Sequence, residues 1–178
     1  LSAGGHGIDP PGNPTTRLVA TRQARSRRAS QDILSLMVRI LLVRPGSTDF
    51  DEQGRIKGTL DIPLSEAGSL QVTRIVQELR ETKIDQVYSS PCRCAEQTAA
   101  ILADDHKLRV KQLAELHNLD HGLWHGKLID EVRHSQPKVY RQLQEHPETV
   151  CPPDGEPLGA AFDRVKAALE RLRKKHRA

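Results

Sequence analysis

Residues 38–48 read Val38-Arg-Ile-Leu-Leu-Val-Arg-Pro-Gly-Ser-Thr48. The aliphatic and β-branched run ends at Pro45-Gly46, a pattern typical of a buried strand that runs into a loop. On the C-terminal side of this stretch, strand-like and helix-like segments alternate along the chain. Such alternation predicts an α/β fold in which a mostly parallel sheet lies between helices.

The other predicted elements alternate as this fold requires. In chain order they are a helix capped by Ser65, with Val72, Ile75, Val76 and Leu79 on one face; a strand at 84–88; a helix at about 92–104; a strand at 108–110; a helix near 137–146; and a last helix with Leu158, Phe162, Val165, Leu169 and Leu172 on one face. Ligands of parallel sheets bind beyond the carboxyl ends of the strands. We therefore expect a site at the loops that begin at Arg44 and Ser89.

Composition excludes several classes of protein. With 178 residues, 37% hydrophobic and 28% charged, the chain has enough apolar residues for one packed domain. No apolar run approaches the roughly 18–20 residues of a membrane span, so no membrane partner is expected. The three cysteines, Cys92, Cys94 and Cys151, are too few for a disulfide framework. We therefore expect a cytoplasmic, reducing location.

The first 36 residues differ in composition from the rest. They are rich in Gly, Pro, Ser and Thr and then in Arg and Ser, without helical or strand periodicity. We expect residues 1–36 to be an unfolded leader or a mis-assigned start, and residues 37–178 to be one domain. The first 36 hold five arginines against two aspartates, which accounts for three of the four surplus positive charges. The predicted domain is thus nearly neutral, which argues against a nucleic-acid partner.

Six ordered blocks over about residues 38–170 resemble the histidine phosphatase (phosphoglycerate mutase-like) superfamily. Leu42–Thr48 is similar to the Leu-Val-Arg-His-Gly-x-Thr signature of that family. The other five blocks are Gly54–Gly58, Asp61–Ser65 with Gly68 and Gln71, Ser89–Pro91 with Ala95–Ala99, Gly122–Gly126, and Pro152–Glu156. The resemblance implies a three-layer α/β sandwich whose second catalytic histidine lies on a strand after the last helix. Since the sequence stops at Ala178, we expect a C-terminally incomplete domain that lacks its last strand.

The family's nucleophile is missing at its expected position. The resemblance implies that the histidine of Arg-His-Gly attacks phosphorus, and this chain has Pro45 there. A proline nitrogen within a chain is a tertiary amide, and its lone pair is delocalised into the carbonyl group. A nucleophile needs an available lone pair, so Pro45 cannot accept a phosphoryl group.

Two further family positions are altered. The resemblance implies a phosphate-clamping arginine where this chain has Cys94, and Arg93 lies about 100° away around the helix. It also implies a carboxylic acid four residues before Gly122, where this chain has Asn118; Glu115 and Asp120 are the alternative acids. Asp51 stands where the family often has asparagine, and we expect it to repel phosphate.

Part of an anion site remains in the sequence. The resemblance assigns anion binding to the retained or neighbouring positions Arg44, Gly46, Thr48, Arg55 and Arg93. We also expect the N–H groups that open the helix at residue 92 to be available to an anion. The alternative is that Arg44 is an ordinary surface arginine at a turn.

Other residues with chemical potential have simpler interpretations. His117, His121 and His125 have helical spacing that suggests a metal site, but two glycines interrupt them, so we interpret them as polar loop residues. We expect Cys92 to be a core thiol. We also expect Trp124 to be a core residue.

Together these observations predict a degenerate histidine phosphatase-like protein, a pseudoenzyme with residual anion or partner binding. The alternative is an active phosphohydrolase or phosphomutase with a displaced nucleophile such as His121. The resemblance implies no metal and no cofactor. The expected partner is a phosphate-bearing small molecule or a protein.

Overall fold

The computed structural model describes residues 38–177. Its elements are α1 (Asp49–Glu52), α2 (Glu66–Leu79), β1 (Val87–Ser89), α3 (Arg93–Asp105), β2 (Val110–Gln112), α4 (Ile129–Ser135), α5 (Pro137–Glu145) and α6 (Leu158–Lys175), with 3₁₀ turns at Ala114–Leu116, Gly122–Trp124 and Pro147–Thr149. Residues 41–172 form one compact unit, and residues 38–40 and 173–177 lie outside it. The predicted leader, residues 1–36, lies outside the described residues.

The α/β fold is confirmed. Strands β1 and β2 pair in parallel, with Val87 opposite Val110, and α3 is the crossover between them. Each strand begins two or three residues later than the sequence pattern predicts. Val87 packs with Ala99 and Ala103 of α3, and Ile84 and Leu108 close the cluster from the segments before the strands. The hydrophobic residues that predicted the strands thus sit partly in the approach to each strand.

The predicted strand over Val38–Val43 is wrong. No strand is assigned to these residues, and no neighbouring strand pairs with them among residues 38–177. Leu41 is 43% exposed and Leu42 is 81% exposed. An aliphatic run becomes a buried strand only if a neighbour supplies backbone hydrogen bonds and covers its faces.

Helix α2 forms as its sequence pattern predicts. The Ser65 side chain accepts a hydrogen bond from the backbone N–H of Gly68, which caps the helix. Val72 and Val76 are buried against Leu102 of α3. Side chains one turn apart lie on one face, so this pair joins α2 to α3.

The C-terminal half differs from its prediction in two ways. The sequence pattern missed α4, whose Val132 is buried with Trp124 and Val150 in a third core cluster. Helix α6 buries Ala161 and Ala168, while Phe162 is 63% exposed. Ala161 and Ala168 share one side of the helix with Leu158, Val165 and Leu172, which are half-buried, so the predicted apolar face is partly buried and Phe162 is its exposed member. No helix among residues 38–177 has the length and apolar character needed to cross a bilayer.

The loop after Val43 packs directly onto α2. A Cβ atom on Gly68 would lie 2.0 Å from the carbonyl oxygen of Ser47, and one on Gly46 would lie 2.5 Å from the carbonyl oxygen of Gly68. Gln71 completes the contact, because its Oε1 accepts hydrogen bonds from the Ser47 N–H at 3.0 Å and from the Ser47 hydroxyl at 3.1 Å. The Gly68-x-x-Gln71 spacing therefore holds the loop in place.

Substituting Gly68→Ala is expected to destabilise the protein by about 1–3 kcal/mol, because the added methyl group meets a backbone oxygen that can move only with the loop. Urea denaturation measures the free energy of unfolding. Gly159→Ala is the matched control, since a Cβ there has open space within α6, and it is expected to be neutral or stabilising by up to about 1 kcal/mol. Equal effects of the two substitutions would contradict the packing argument.

Candidate functional site

A cavity of about 630 Å³ lies beyond the carboxyl end of β1. Its lining combines two cations, two thiols and an apolar wall, in a volume that is common for small-molecule sites, roughly 300–1,000 Å³. The lining residues are Arg44, Pro45, Asp51, Ile56, Lys57, Gly58, Leu60, Ser90, Cys92, Cys94, Ala95, Leu116, Asn118, His121, Trp124, Ile129, Val132, Tyr140, Leu143 and Gln144. The loops predicted from Arg44 and Ser89 both contribute.

Arg44 and Pro45 reach the cavity because the next residues are anchored. The Gly46 N–H donates to Thr98 Oγ1 at 3.2 Å, and Thr98 is buried in α3. Ser65 N–H donates to the Ser47 carbonyl oxygen at 2.9 Å. The Arg44 guanidinium makes no hydrogen bond or ion pair with any residue from 38 to 177. Its donors are therefore available to an anion in the cavity.

Thr48, Asp51 and Lys57 form a closed network at the cavity edge. Asp51 Oδ2 accepts hydrogen bonds from Thr48 N at 2.8 Å, Thr48 Oγ1 at 2.7 Å and Lys57 Nζ at 2.9 Å. Burial alone would raise the pKa of Asp51, but the bonds from Lys57 and Thr48 outweigh it and lower that pKa. Since Lys57 neutralises the carboxylate, the repulsion of phosphate expected from Asp51 is largely offset.

Cys92 and Cys94 lie side by side in the cavity wall. Their Sγ atoms are 3.8 Å apart, and the Ser90 hydroxyl donates to Cys92 Sγ at 3.2 Å. The hydrogen bond from the Cys94 thiol, followed by that from Ser90, lowers the pKa of Cys92 to about 5. The same contact and burial raise the pKa of Cys94. Cys92 is half-buried and faces the cavity, so the prediction that it is a core thiol is wrong.

The N-terminus of α3 is already occupied. Arg93 N–H donates to Asp61 Oδ1 at 2.7 Å, and Cys94 N–H donates to the Ile62 carbonyl oxygen at 3.1 Å. The Cys92 N–H donates to the Ser90 hydroxyl. The expectation that these groups hold an external anion is therefore wrong, because the Asp61 carboxylate takes the place that an anion would fill.

The alternative acids, Glu115 and Asp120, are not among the residues that line the cavity. Glu115 Oε1 lies 2.5 Å from Arg171 Nη2, and hydrogen bonds from its own backbone and from Arg171 lower the pKa of Glu115. Asp120 Oδ1 accepts from the Gly122 N–H at 2.8 Å. Asn118 does line the cavity, and its Nδ2 donates to the Gly58 carbonyl oxygen at 3.0 Å. Among the described residues, the only carboxylate in the lining is Asp51.

Glu156 and Arg164 hold the loop that carries Asn118. Arg164 donates to both Glu156 carboxylate oxygens and also to the carbonyl oxygens of Glu115, His117 and Asn118. The hydrogen bond from Arg164 lowers the pKa of Glu156. The Pro152–Glu156 block thus acts on the cavity indirectly, by positioning one of its loops.

The three spaced histidines lie in loops next to the 3₁₀ turns, which agrees with the predicted loop. His125 Nε2 accepts hydrogen bonds from the backbone N–H groups of His121 and Thr59, at 3.1 and 3.3 Å, so its lone pair is already used. His121 lines the cavity, and its buried Nδ1 has no hydrogen-bond partner within residues 38–177. Burial, together with the neighbouring His125, lowers the pKa of His121, which keeps its ring neutral at pH 7.

The structure brings only part of the predicted site together. Arg44, Pro45, Cys94 and Asn118 line the cavity. Gly46 and Thr48 lie behind them in the loop. Arg55 is directed elsewhere, donating to the Gly126 carbonyl oxygen at 2.7 Å, and the exposed Arg93 does not line the cavity.

Sequence reasoning missed Lys57, Tyr140 and Gln144 as lining residues. Lys57 lies inside the Gly54–Gly58 block, and its place in that block is the sequence signal that could have identified it as a lining residue. Tyr140 and Gln144 are one turn apart on α5, and the sequence contains no signal that α5 faces the cavity. Trp124 is 1% exposed, which confirms that it is a core residue.

Comparisons with known proteins agree with this architecture. Phosphoserine phosphatase 1 of Hydrogenobacter thermophilus is 37% identical over 140 residues, which cover 79% of this chain and 66% of that protein. Phosphoglycerate mutase-like protein 4 of Arabidopsis thaliana is 34% identical over 141 residues, which cover 78% of this chain and 61% of that protein. The chain thus spans less than two thirds of the length of each of these relatives.

Solved structures give the same class of fold. YhfR of Bacillus stearothermophilus superposes with a TM-score of 0.70 at 26% identity, over 75% of this chain and 66% of that one. A mycobacterial glucosyl-3-phosphoglycerate phosphatase in complex with VO₃ superposes with a TM-score of 0.69 at 26% identity, over 75% of this chain and 69% of that one. The fold is therefore that of the phosphoglycerate mutase-like α/β phosphatases.

The family follows from the sequence profile. The sequence profile of the histidine phosphatase superfamily (branch 1) matches residues 40–178 of this chain. The chain belongs to the histidine phosphatase superfamily.

Replacing Glu156→Gln is expected to lower the free energy of unfolding by about 1–3 kcal/mol at pH 7, because the charged hydrogen bonds to Arg164 are weakened. Since the folded pKa lies below the ordinary value of 4.5, this stabilisation is complete above that value. It is lost as the pH falls through the lowered folded pKa, so the difference between the two proteins shrinks in acid. Thermal unfolding of both proteins at a series of pH values measures this difference in stability.

Asp85→Asn is the matched control. Asp85 pairs with Lys83 at 3.4 Å, but both side chains are exposed. Removing such a pair is expected to change stability by less than about 1 kcal/mol. A Glu156→Gln effect as small as this control, or one that grows in acid, would contradict the role assigned to Glu156.

Proposed function

We propose that this protein binds a phosphate-bearing small molecule at the Arg44 cavity and does not form a phosphohistidine. The observation that carries the proposal is the pair of adjacent residues Arg44 and Pro45. The Arg44 guanidinium lines the cavity without a partner among the described residues, while its neighbour has no nucleophilic atom. Binding is thus retained where the covalent step has lost its acceptor.

The remaining chemistry of the cavity supports binding without phosphoryl transfer. Cys94 stands where the family resemblance implies an arginine clamp, and a thiol provides no bidentate charge for a transferring phosphoryl group. Glu115 and Asp120 are bonded elsewhere, and Asp51 is held ionised by Lys57. No carboxyl group in the lining is placed to donate a proton to a leaving group.

The shape of the cavity favours an organic phosphate over a bare anion. Leu60, Leu116, Ile129 and Leu143 form an apolar wall, which suits the carbon skeleton of a ligand. The names of two relatives support phosphate recognition, since one is a phosphoserine phosphatase and another a glucosyl-3-phosphoglycerate phosphatase. Each of those substrates carries a phosphate on an organic group.

Arg44→Ala is expected to weaken binding of orthovanadate by about 10- to 100-fold, because one set of charged hydrogen bonds is worth about 1.5–3 kcal/mol. The rise in melting temperature across a vanadate titration measures the dissociation constant. Arg93→Ala is the control, since Arg93 is exposed outside the cavity. If both variants bind like the unaltered protein, the Arg44 cavity is not the anion site.

Pro45→His alone is expected to restore little activity. A histidine would supply the lone pair, but the clamp at Cys94 and the acid would still be missing. Release of p-nitrophenol from p-nitrophenyl phosphate is expected to stay well below the usual enzyme range, roughly 1–1,000 per second. Turnover within that range after this single substitution would show that the other two changes are not limiting.

A second candidate function is favoured by one observation. His121 is neutral and lines the cavity, so it is the side chain best suited to act as a displaced nucleophile in a phosphohydrolase. Vanadate-sensitive hydrolysis of p-nitrophenyl phosphate by the unaltered protein, abolished by His121→Asn, would replace the first proposal with this one. Absence of turnover in a protein that binds vanadate would support the first.

A further inference from the structure

The two thiols in the cavity wall are not used by the proposed function. Cys92 is the N-cap residue of α3 and Cys94 lies in its first turn. Their sulfur atoms are 3.8 Å apart, and a disulfide requires about 2.05 Å. Both side chains must therefore rotate for a bond to form between the two sulfur atoms.

The two sulfur atoms are not equivalent. Cys94 is 2% exposed, whereas Cys92 is half-buried and open to the cavity. The Ser90 hydroxyl and the Cys94 thiol both donate toward the Cys92 sulfur, and Lys57 adds a nearby positive charge. These groups lower the pKa of Cys92 and favour its thiolate, while the pKa of Cys94 is raised. One sulfur is therefore an accessible nucleophile, and the other is a protonated thiol beside it.

We propose that Cys92 and Cys94 form a redox-active dithiol site that a small hydroperoxide converts into an intramolecular disulfide. Cys92 is the sulfur that attacks the oxidant, and Cys94 is the resolving thiol. The proposal rests on the juxtaposition of the two thiols in a cavity that admits small molecules. It does not depend on the phosphate-binding proposal.

The hydroperoxide is the two-electron oxidant in this reaction. The Cys92 thiolate attacks the terminal oxygen of the hydroperoxide, the O–O bond breaks, and an alcohol or water leaves after protonation. Cys92 is then a sulfenic acid. The Cys94 sulfur attacks the Cys92 sulfur, the S–O bond breaks, and its hydroxyl leaves as water with the proton from Cys94. Overall, two thiols are oxidised by two electrons and the hydroperoxide is reduced.

Cys151 provides an internal control. It is exposed, and its sulfur contacts the backbone carbonyl oxygens of Pro152 and Gly155. Within residues 38–177 no second cysteine is positioned beside it. Substituting Cys151→Ser therefore removes the unrelated thiol and leaves the proposed site unchanged.

The test treats the Cys151→Ser protein with one equivalent of hydrogen peroxide and then with a maleimide under denaturing conditions. The expected product is lighter than the reduced protein by two hydrogen atoms and takes up no maleimide. Peptide mass spectrometry is expected to place the bond between Cys92 and Cys94, and dithiothreitol is expected to restore both reactive thiols. Retention of two maleimide-reactive thiols, or a bond that joins two chains, would overturn the proposal.

Two variants in the Cys151→Ser background separate the roles of the sulfurs. With Cys94→Ser, a sulfenic acid at Cys92 is expected to accumulate and to react with dimedone. With Cys92→Ser, oxidation of the remaining thiol is expected to be at least about tenfold slower, because that thiol is 2% exposed. Equal oxidation rates would overturn the assignment of Cys92 as the nucleophile. The first measurement uses the unaltered pair, so it does not depend on the folding of these variants.

Discussion

The contact between the Ser47 carbonyl group and Gly68 is the constraint on which the rest of the site depends. At this point the chain passes so close to α2 that no side chain fits between the two backbones. Gln71 and Ser65 then bind Ser47 by hydrogen bonds, and Thr98 of α3 binds Gly46. Because the loop is bound to two helices, the preceding residues, Arg44 and Pro45, are positioned at the cavity.

Charge pairing decides which groups around the cavity remain available. Lys57 is paired with Asp51, Arg164 with Glu156 and Arg171 with Glu115. In each pair the cation engages a carboxylate that could otherwise act as an acid in the chemistry of phosphate esters. Arg44 is the cavity cation that no described residue neutralises. This charge distribution is the basis of the proposal that the cavity binds an anion without phosphoryl transfer.

The failures of sequence reasoning have a common physical cause. The aliphatic run at Val38–Val43 has the residues of a buried strand, but strand formation depends on hydrogen bonds from a neighbour that residues 38–177 do not supply. In the same way, the open N–H groups expected at the start of α3 are taken by Asp61, which lies about thirty residues earlier in the chain. The local sequence pattern indicates which structure a segment can form, whereas the segments packed against it decide whether that structure forms.

The sequence by itself determined the family, the α/β fold, the helix capped by Ser65 and the absence of a nucleophilic side chain at Pro45, because each depends on residue type and spacing along the chain. Tertiary structure alone decided that Lys57 neutralises Asp51, that Glu115 turns to Arg171 and that Arg93 lies outside the cavity. It also decided that the two thiols meet at a cavity wall. These relations depend on where each side chain points in the folded protein, whether its partner is two residues away, as in the thiol pair, or 56 residues away, as in the pair of Glu115 with Arg171. The order of residues carries no direct record of that direction.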